Sequence, residues 1–116
     1  METVSSSACF GGEVRRVKHY SSSCNCDMIF GIFLPPQARE KKVPVLYWLS
    51  GLTCTDENFM IKSGAQRIAA ELGIAIVCPD TSPRGSEFPG EHDEYDFGSG
   101  AGFYVNATQE PWSANY

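Results

Sequence analysis

The stretch best suited to chemistry is Ser50-Gly51-Leu52-Thr53-Cys54-Thr55. It follows the apolar run Val45-Leu46-Tyr47-Trp48-Leu49, which has strand length, and it precedes a segment with helical spacing. A short glycine-containing turn at the carboxyl end of a strand can direct backbone N–H groups into a site. That is the geometry of an oxyanion hole, where amides meet the charge that develops on a carbonyl oxygen. The same residues fit an ordinary strand-to-helix turn with a structural glycine, and spacing alone favours that reading. A second turn-rich loop, Pro79-Asp80-Thr81-Ser82-Pro83-Arg84-Gly85, leaves the apolar run Ile74-Ala75-Ile76-Val77-Cys78. In open α/β sheets ligands bind beyond the carboxyl ends of strands, so both loops are candidates.

The elements that must position these loops follow from patterning. Residues 45–49 suit a strand buried on both faces of a mostly parallel sheet. Thr53 stands three residues before Asp56, a spacing that can cap free helix amides. Ile61, Ala65, Ile68, Ala69 and Leu72 then recur at helical spacing, with Lys62, Gln66, Arg67 and Glu71 on another face. Gly73 occupies a C-cap position. Strand, helix and strand make a right-handed βαβ unit. Upstream, residues 1–12 are Ser- and Gly-rich and read as an irregular lead-in. Residues 13–20 suit an exposed or edge strand, and 28–34, closed by Pro35-Pro36, form its antiparallel hairpin partner. Residues 37–42 form a charged connector.

Composition narrows the function classes. The chain has 116 residues, the size of one small domain, and a net charge of −5. Residues 78–116 carry Arg84 alone against Asp80, Glu87, Glu91, Asp93, Glu94, Asp96 and Glu110. An acidic chain without a basic patch argues against nucleic acid and against an anionic membrane surface. No apolar run approaches the roughly 20 residues of a membrane span. The first residues, METVSSSACFGG, lack the basic and apolar regions of a signal peptide, which points to a reducing compartment, most simply the cytosol.

Other motifs carry less. Cys24-x-Cys26 has no second pair at zinc spacing, so no metal site is expected. The Gly98-Ser99-Gly100-Ala101-Gly102 run lacks the Gly-Lys-Ser/Thr ending and the strand-to-helix setting of a phosphate loop. Residues 86–95 are polar and acidic, and 96–104 mix glycine with Phe97, Phe103 and Tyr104, as packed loops and lids do. His19 and His92 have no serine or cysteine partner at a recognisable spacing. A parallel sheet needs cover on both faces, yet one crossover helix is present, so the architecture is expected to continue beyond this chain.

At YWLSGLTCT the sequence resembles S-formylglutathione hydrolase, a serine thioesterase family of the α/β-hydrolase fold. Cys9-Phe10-Gly11-Gly12, Leu34-Pro35-Pro36, Lys62-Ser63-Gly64, residues 80–85, residues 96–105, Trp112 and Tyr116 match that family's motifs in its order. Asn106 departs from it, where aspartate is expected before Ala-Thr. The resemblance implies the amino-terminal part of a single α/β-hydrolase domain over residues 1–116, with a hairpin leading into a parallel sheet that has one crossover helix. It also implies hydrolysis of S-formylglutathione to glutathione and formate, and of small carboxylic esters, without a cofactor. A homodimer is left open for the full-length protein.

What it implies about sites is specific. One oxyanion donor comes from the loop after the third strand of the fold, here Gly51-Leu52-Thr53, with the Leu52 amide as donor. Cys54 corresponds to a cysteine beside the active site and reads equally as a reactive thiol or a small buried hydrophobe. Trp48 reads as core before substrate contact. Asp80, Arg84, Phe103 and Tyr104 frame the site mouth, Arg84 either pairing with Asp80 or meeting a carboxylate of glutathione. No Gly-x-Ser-x-Gly elbow occurs, so the nucleophile, acid and histidine are expected outside these residues, and the 116-residue chain alone is expected to be inactive. The alternative is a non-catalytic interaction protein whose uncovered sheet docks on a partner.

Overall fold

The computed structural model describes residues 1–116 except Ser86 and Phe88, so those two positions of the expected acidic stretch lie outside the described residues. Five strands form one sheet: β1 (Glu2–Cys9), β2 (Gly12–Ser21), β3 (Cys26–Leu34), β4 (Val45–Tyr47) and β5 (Ala75–Pro79), in the order β1-β2-β3-β5-β4. Helices α1 (Glu57–Lys62) and α2 (Gln66–Leu72) connect β4 to its parallel neighbour β5. The other pairings are antiparallel.

The amino-terminal residues are not an irregular lead-in. Ser5, Ser6 and Ser7 lie in register with Arg16, Arg15 and Val14, although the residues before Cys9 are exposed. Backbone pairing needs no apolar side chain, so a serine-rich segment can extend a sheet at its edge. Phe10 and Gly11 close the hairpin with φ of 44° and 76°, the two positive values that a tight hairpin turn of matching twist requires. With β1 outside it, β2 is an interior strand rather than the edge expected for residues 13–20. The β2–β3 hairpin forms as expected, from Glu13 opposite Leu34 to Ser21 opposite Cys26.

The opposite edge holds a second correction. β4 is not buried on both faces; it is the last strand, and Val45, Leu46 and Tyr47 are exposed. The apolar run predicts a strand, and the described residues supply no neighbour on its outer side. The buried parallel strand is β5, where Ala75, Ile76 and Cys78 are enclosed.

The crossover is two short helices rather than one. Gly64, at φ 66°, separates them and resets the helical phase. Of the expected stripe, Ala65 and Ala69 pack on Phe33, Ile76 and Cys78 together with Phe59, Met60 and Ala70, whereas Ile61, Ile68 and Leu72 face outward. Gln66, expected on the polar face, is buried and donates from Nε2 to the Met60 carbonyl at 2.5 Å. Gly73 ends α2 in the left-handed conformation at φ 68°, as its C-cap position predicts.

Thr53 does not cap α1. The neighbouring Thr55 does that work: its Oγ1 accepts the Glu57 amide at 3.2 Å, and its own amide donates to Asn58 Oδ1 at 2.8 Å. Asp56 is drawn instead to the sheet, where Arg16 Nε and Nη2 donate to its carboxylate at 2.7 and 3.0 Å. The chain is spread rather than spherical, with a radius of gyration of 15.6 Å, against about 13 Å for a compact 100-residue domain.

Candidate active-site turn and its supports

The loop after β4 begins where the ladder ends. Trp48 still donates its amide to the Val77 carbonyl at 2.9 Å. Its ring stacks on Phe59 with centroids 4.1 Å apart, and its Nε1 donates to Ser50 Oγ at 3.2 Å. Trp48 is exposed rather than the core residue expected, and its ring and Nε1 buttress the turn from one side. Ser50 itself is buried, and the chain turns over Gly51-Leu52-Thr53-Cys54, closed by the Cys54 amide donating to the Gly51 carbonyl at 3.1 Å. Thr53 adopts φ 64°, a left-handed conformation unusual for a β-branched residue. Its amide donates to the Gly100 carbonyl at 2.9 Å. The Leu52 amide has no acceptor among the described residues. A peptide N–H held in a fixed turn and left unbonded can meet a developing oxyanion.

The loop after β5 supplies the second support. Asp80 is buried, and Arg84 grips its carboxylate at two points, Nε to Oδ2 at 2.7 Å and Nη2 to Oδ1 at 3.3 Å. Arg84 Nη2 also donates to the Cys54 carbonyl at 3.0 Å. Of the two roles open to Arg84 from sequence, the geometry contains the pairing with Asp80. Asp80 Oδ1 accepts the Ser82 amide at 3.2 Å, and Ser82 Oγ accepts the Gly100 amide at 2.8 Å. A closed circuit results: Arg84, Asp80, Ser82, Gly100, Thr53 and Cys54 each hold the next.

The third support is the glycine-rich segment. A Cβ on Gly102 would lie 1.8 Å from the Thr81 carbonyl oxygen, so only glycine lets these two backbones touch. This contact brings Tyr104 to the turn, where its hydroxyl donates to the Ser50 carbonyl. Thr81 Oγ1 donates to the same carbonyl at 3.2 Å. Farther out, Phe97 meets Trp112 edge-on at 4.5 Å, and buried Glu91 accepts from the Glu87 amide at 2.7 Å and from the Tyr116 hydroxyl at 3.2 Å. Phe103 and Tyr104 are exposed and, with Thr81, Phe97, Trp112 and Tyr116, line an apolar cavity of about 440 Å³. Asn106 borders that cavity.

The structure thus gathers Gly51, Leu52, Thr53, Cys54, Asp80, Arg84 and Tyr104 around one turn, with Trp48 beneath it and Phe103 on the cavity side. Sequence reasoning passed over Thr81, Ser82 and Gly100 as supports. A signal existed for Ser82, since aspartate two residues before an amide can form an Asx turn. The bond from Ser82 to Gly100 spans 18 positions and leaves no local trace.

The chain is 55% identical over 116 residues to S-formylglutathione hydrolase of Mus musculus and 54% identical to that of Rattus norvegicus. It spans 41% of the length of each. Among solved structures, an S-formylglutathione hydrolase from Agrobacterium tumefaciens superposes with a TM-score of 0.94 at 45% identity, over 99% of this chain and 42% of that one. The sheet is therefore that of an α/β hydrolase over the part this chain spans. A family model described as putative esterase matches residues 21–116. The chain belongs to the putative esterase family.

Proposed function

We propose that this chain is the amino-terminal part of a serine thioesterase that hydrolyses S-formylglutathione to glutathione and formate, and that it cleaves small carboxylic esters by the same route. The observation that carries this reading is the Leu52 amide, without an acceptor among the described residues, in a turn held by Gly100, Tyr104 and Thr81. Identity of 55% to a protein of that activity supports the substrate. In this mechanism a serine hydroxyl attacks the formyl carbon, histidine takes its proton, and the oxygen of the tetrahedral adduct bears the charge. The Leu52 N–H donates to that oxygen, as does the amide after the nucleophile. Glutathione leaves as the thiol, and water releases formate from the formyl-enzyme. One such donor is typically worth about 10²–10³ in kcat.

Serine, acid and histidine come, in this reading, from outside residues 1–116, and the 116-residue chain alone is inactive. No cofactor enters the reaction, and a cytosolic setting goes with it. The test compares the purified chain and the complete protein on S-formylglutathione. Turnover by the complete protein and background rates for the chain are expected. Turnover by the chain would overturn its inactivity, and an inert complete protein would overturn the substrate.

One observation favours a second reading. Val45, Leu46, Tyr47 and Leu49 expose an apolar edge that suits docking of another polypeptide. On that reading the chain is a non-catalytic interaction protein. The intact mass of the endogenous protein separates the two. A species more than twice 12.7 kDa fits the esterase, and one at 12.7 kDa fits the docking protein.

A further inference from the structure

We propose that Tyr104 is a positioning residue for the oxyanion turn, its hydroxyl fixing through the Ser50 carbonyl the direction of the Gly51 amide and the place from which the turn carrying the Leu52 amide starts. The inference rests on the esterase reading of Leu52. In a trans peptide the carbonyl of one residue and the N–H of the next lie in one plane and point opposite ways. Anchoring the Ser50 oxygen therefore sets the Gly51 N–H, and anchoring the Gly51 oxygen sets the Leu52 N–H. The Cys54 amide at 3.1 Å holds the second plane relative to the turn itself. The first plane ties the turn to the neighbouring loops through Thr81 and Tyr104. Gly51 joins the two planes, and nothing lies within 4 Å of a Cβ built on it. A glycine in open space supplies no steric preference of its own. The Gly51 N–H, at the start of the turn that carries Leu52, then points where the grip on the Ser50 oxygen sends it, and among the described residues two side chains supply that grip: Tyr104 through Oη and Thr81 through Oγ1. Tyr104 is placed to do so by the Gly102 backbone, which leaves no room for a side chain against Thr81.

Tyr104 is more than half exposed, so losing its hydroxyl alone removes little packing. The test is Tyr104→Phe in the complete protein, assayed on S-formylglutathione and on a small neutral ester. Because both substrates develop the same oxyanion, kcat is expected to fall about ten- to hundredfold on each, with KM changing less than about threefold, the scale of a slightly misplaced catalytic group. The Gly51 and Leu52 amide resonances are expected to shift at an unchanged melting temperature. Thr81→Val, removing the other donor, is expected to act in the same direction and the double variant to exceed either. Unchanged kcat, a loss confined to KM, or unmoved Gly51 and Leu52 resonances overturns the proposal. If the wild-type protein does not hydrolyse the thioester, the esterase reading fails by itself, and the resonances alone decide the role of Tyr104.

Discussion

The Gly100 carbonyl accepts the Thr53 amide at 2.9 Å and so joins two loops 47 positions apart in the chain by main chain alone. Backbone-to-backbone links of this kind constrain sequence weakly at their own positions. They constrain it strongly where the two chains must approach, and here that place is Gly102 against Thr81. Gly102→Ala would place a methyl group 1.8 Å from a carbonyl oxygen, which forces the glycine-rich segment away from the turn. The expected cost is about 1–3 kcal/mol, as for overpacking generally. Urea titration measures it, and a midpoint equal to wild type would show that the segment does not pack as described.

The Arg16–Asp56 pair ties helix α1 to the sheet, and Asp56 is 1% exposed. Removing one partner leaves a buried charge unpaired, whereas removing both does not. Arg16→Met is expected to cost about 3–5 kcal/mol, and the Arg16→Met/Asp56→Leu double variant clearly less. Additive losses in chemical denaturation would show that the carboxylate is satisfied in some other way.

How much of this was legible beforehand depended on the range of the interaction. Gly73 was legible because a C-cap is a local event. The β2–β3 hairpin and β5 were legible because apolar runs bounded by turns are local too. Strand β1 was not, because Ser5, Ser6 and Ser7 carry no apolar pattern and pair through their backbones, with the Ser6 hydroxyl adding a bond to Glu13. The Thr53 cap failed since Asp56 found Arg16, 40 positions away, and Thr55 was nearer to the helix. At the site, the residues of the turn were named from the resemblance. The circuit through Ser82 and Gly100 was not, since the bonds that close it, Ser82 to Gly100, Gly100 to Thr53 and Arg84 to Cys54, cross between loops.

Alkaline pH is expected to destabilise the fold in two overlapping steps. Burial, with a further push from the charge of Asp56, raises the Cys78 thiol from 9.0 to about 11. Burial also raises Tyr116 from 10.0 to about 12, with the Ser82 hydrogen bond opposing and the charge of Glu91 adding. Both groups ionise more readily in the unfolded chain, so the unfolded state loses protons first as pH rises. Their contribution is complete below about pH 9 and is lost between about 9 and 11 for Cys78 and between about 10 and 12 for Tyr116. Melting temperatures across this range measure it. Cys78→Ala is expected to flatten the first step, and an identical slope in that variant would remove Cys78 as its source.

Arg84 offers the sharpest division between a clasp and a substrate contact. Its guanidinium spans Asp80 and the Cys54 carbonyl at once, a fork that a lysine ammonium cannot reproduce. Had Arg84 bound a carboxylate of glutathione, its loss would raise KM for S-formylglutathione and spare a small neutral ester. As a clasp it instead holds Cys54, and through it the turn that carries Leu52. Arg84→Lys in the complete protein is therefore expected to lower kcat about tenfold on both substrates, a fraction of the effect of deleting an oxyanion donor outright. Arg84→Gln, which removes the charge as well, is expected to fall further but in the same ratio for the two substrates. The decisive quantity is the ratio of the KM changes on thioester and ester. A ratio near one keeps Arg84 in the circuit with Asp80, whereas a KM rise confined to the thioester assigns it to the glutathione moiety.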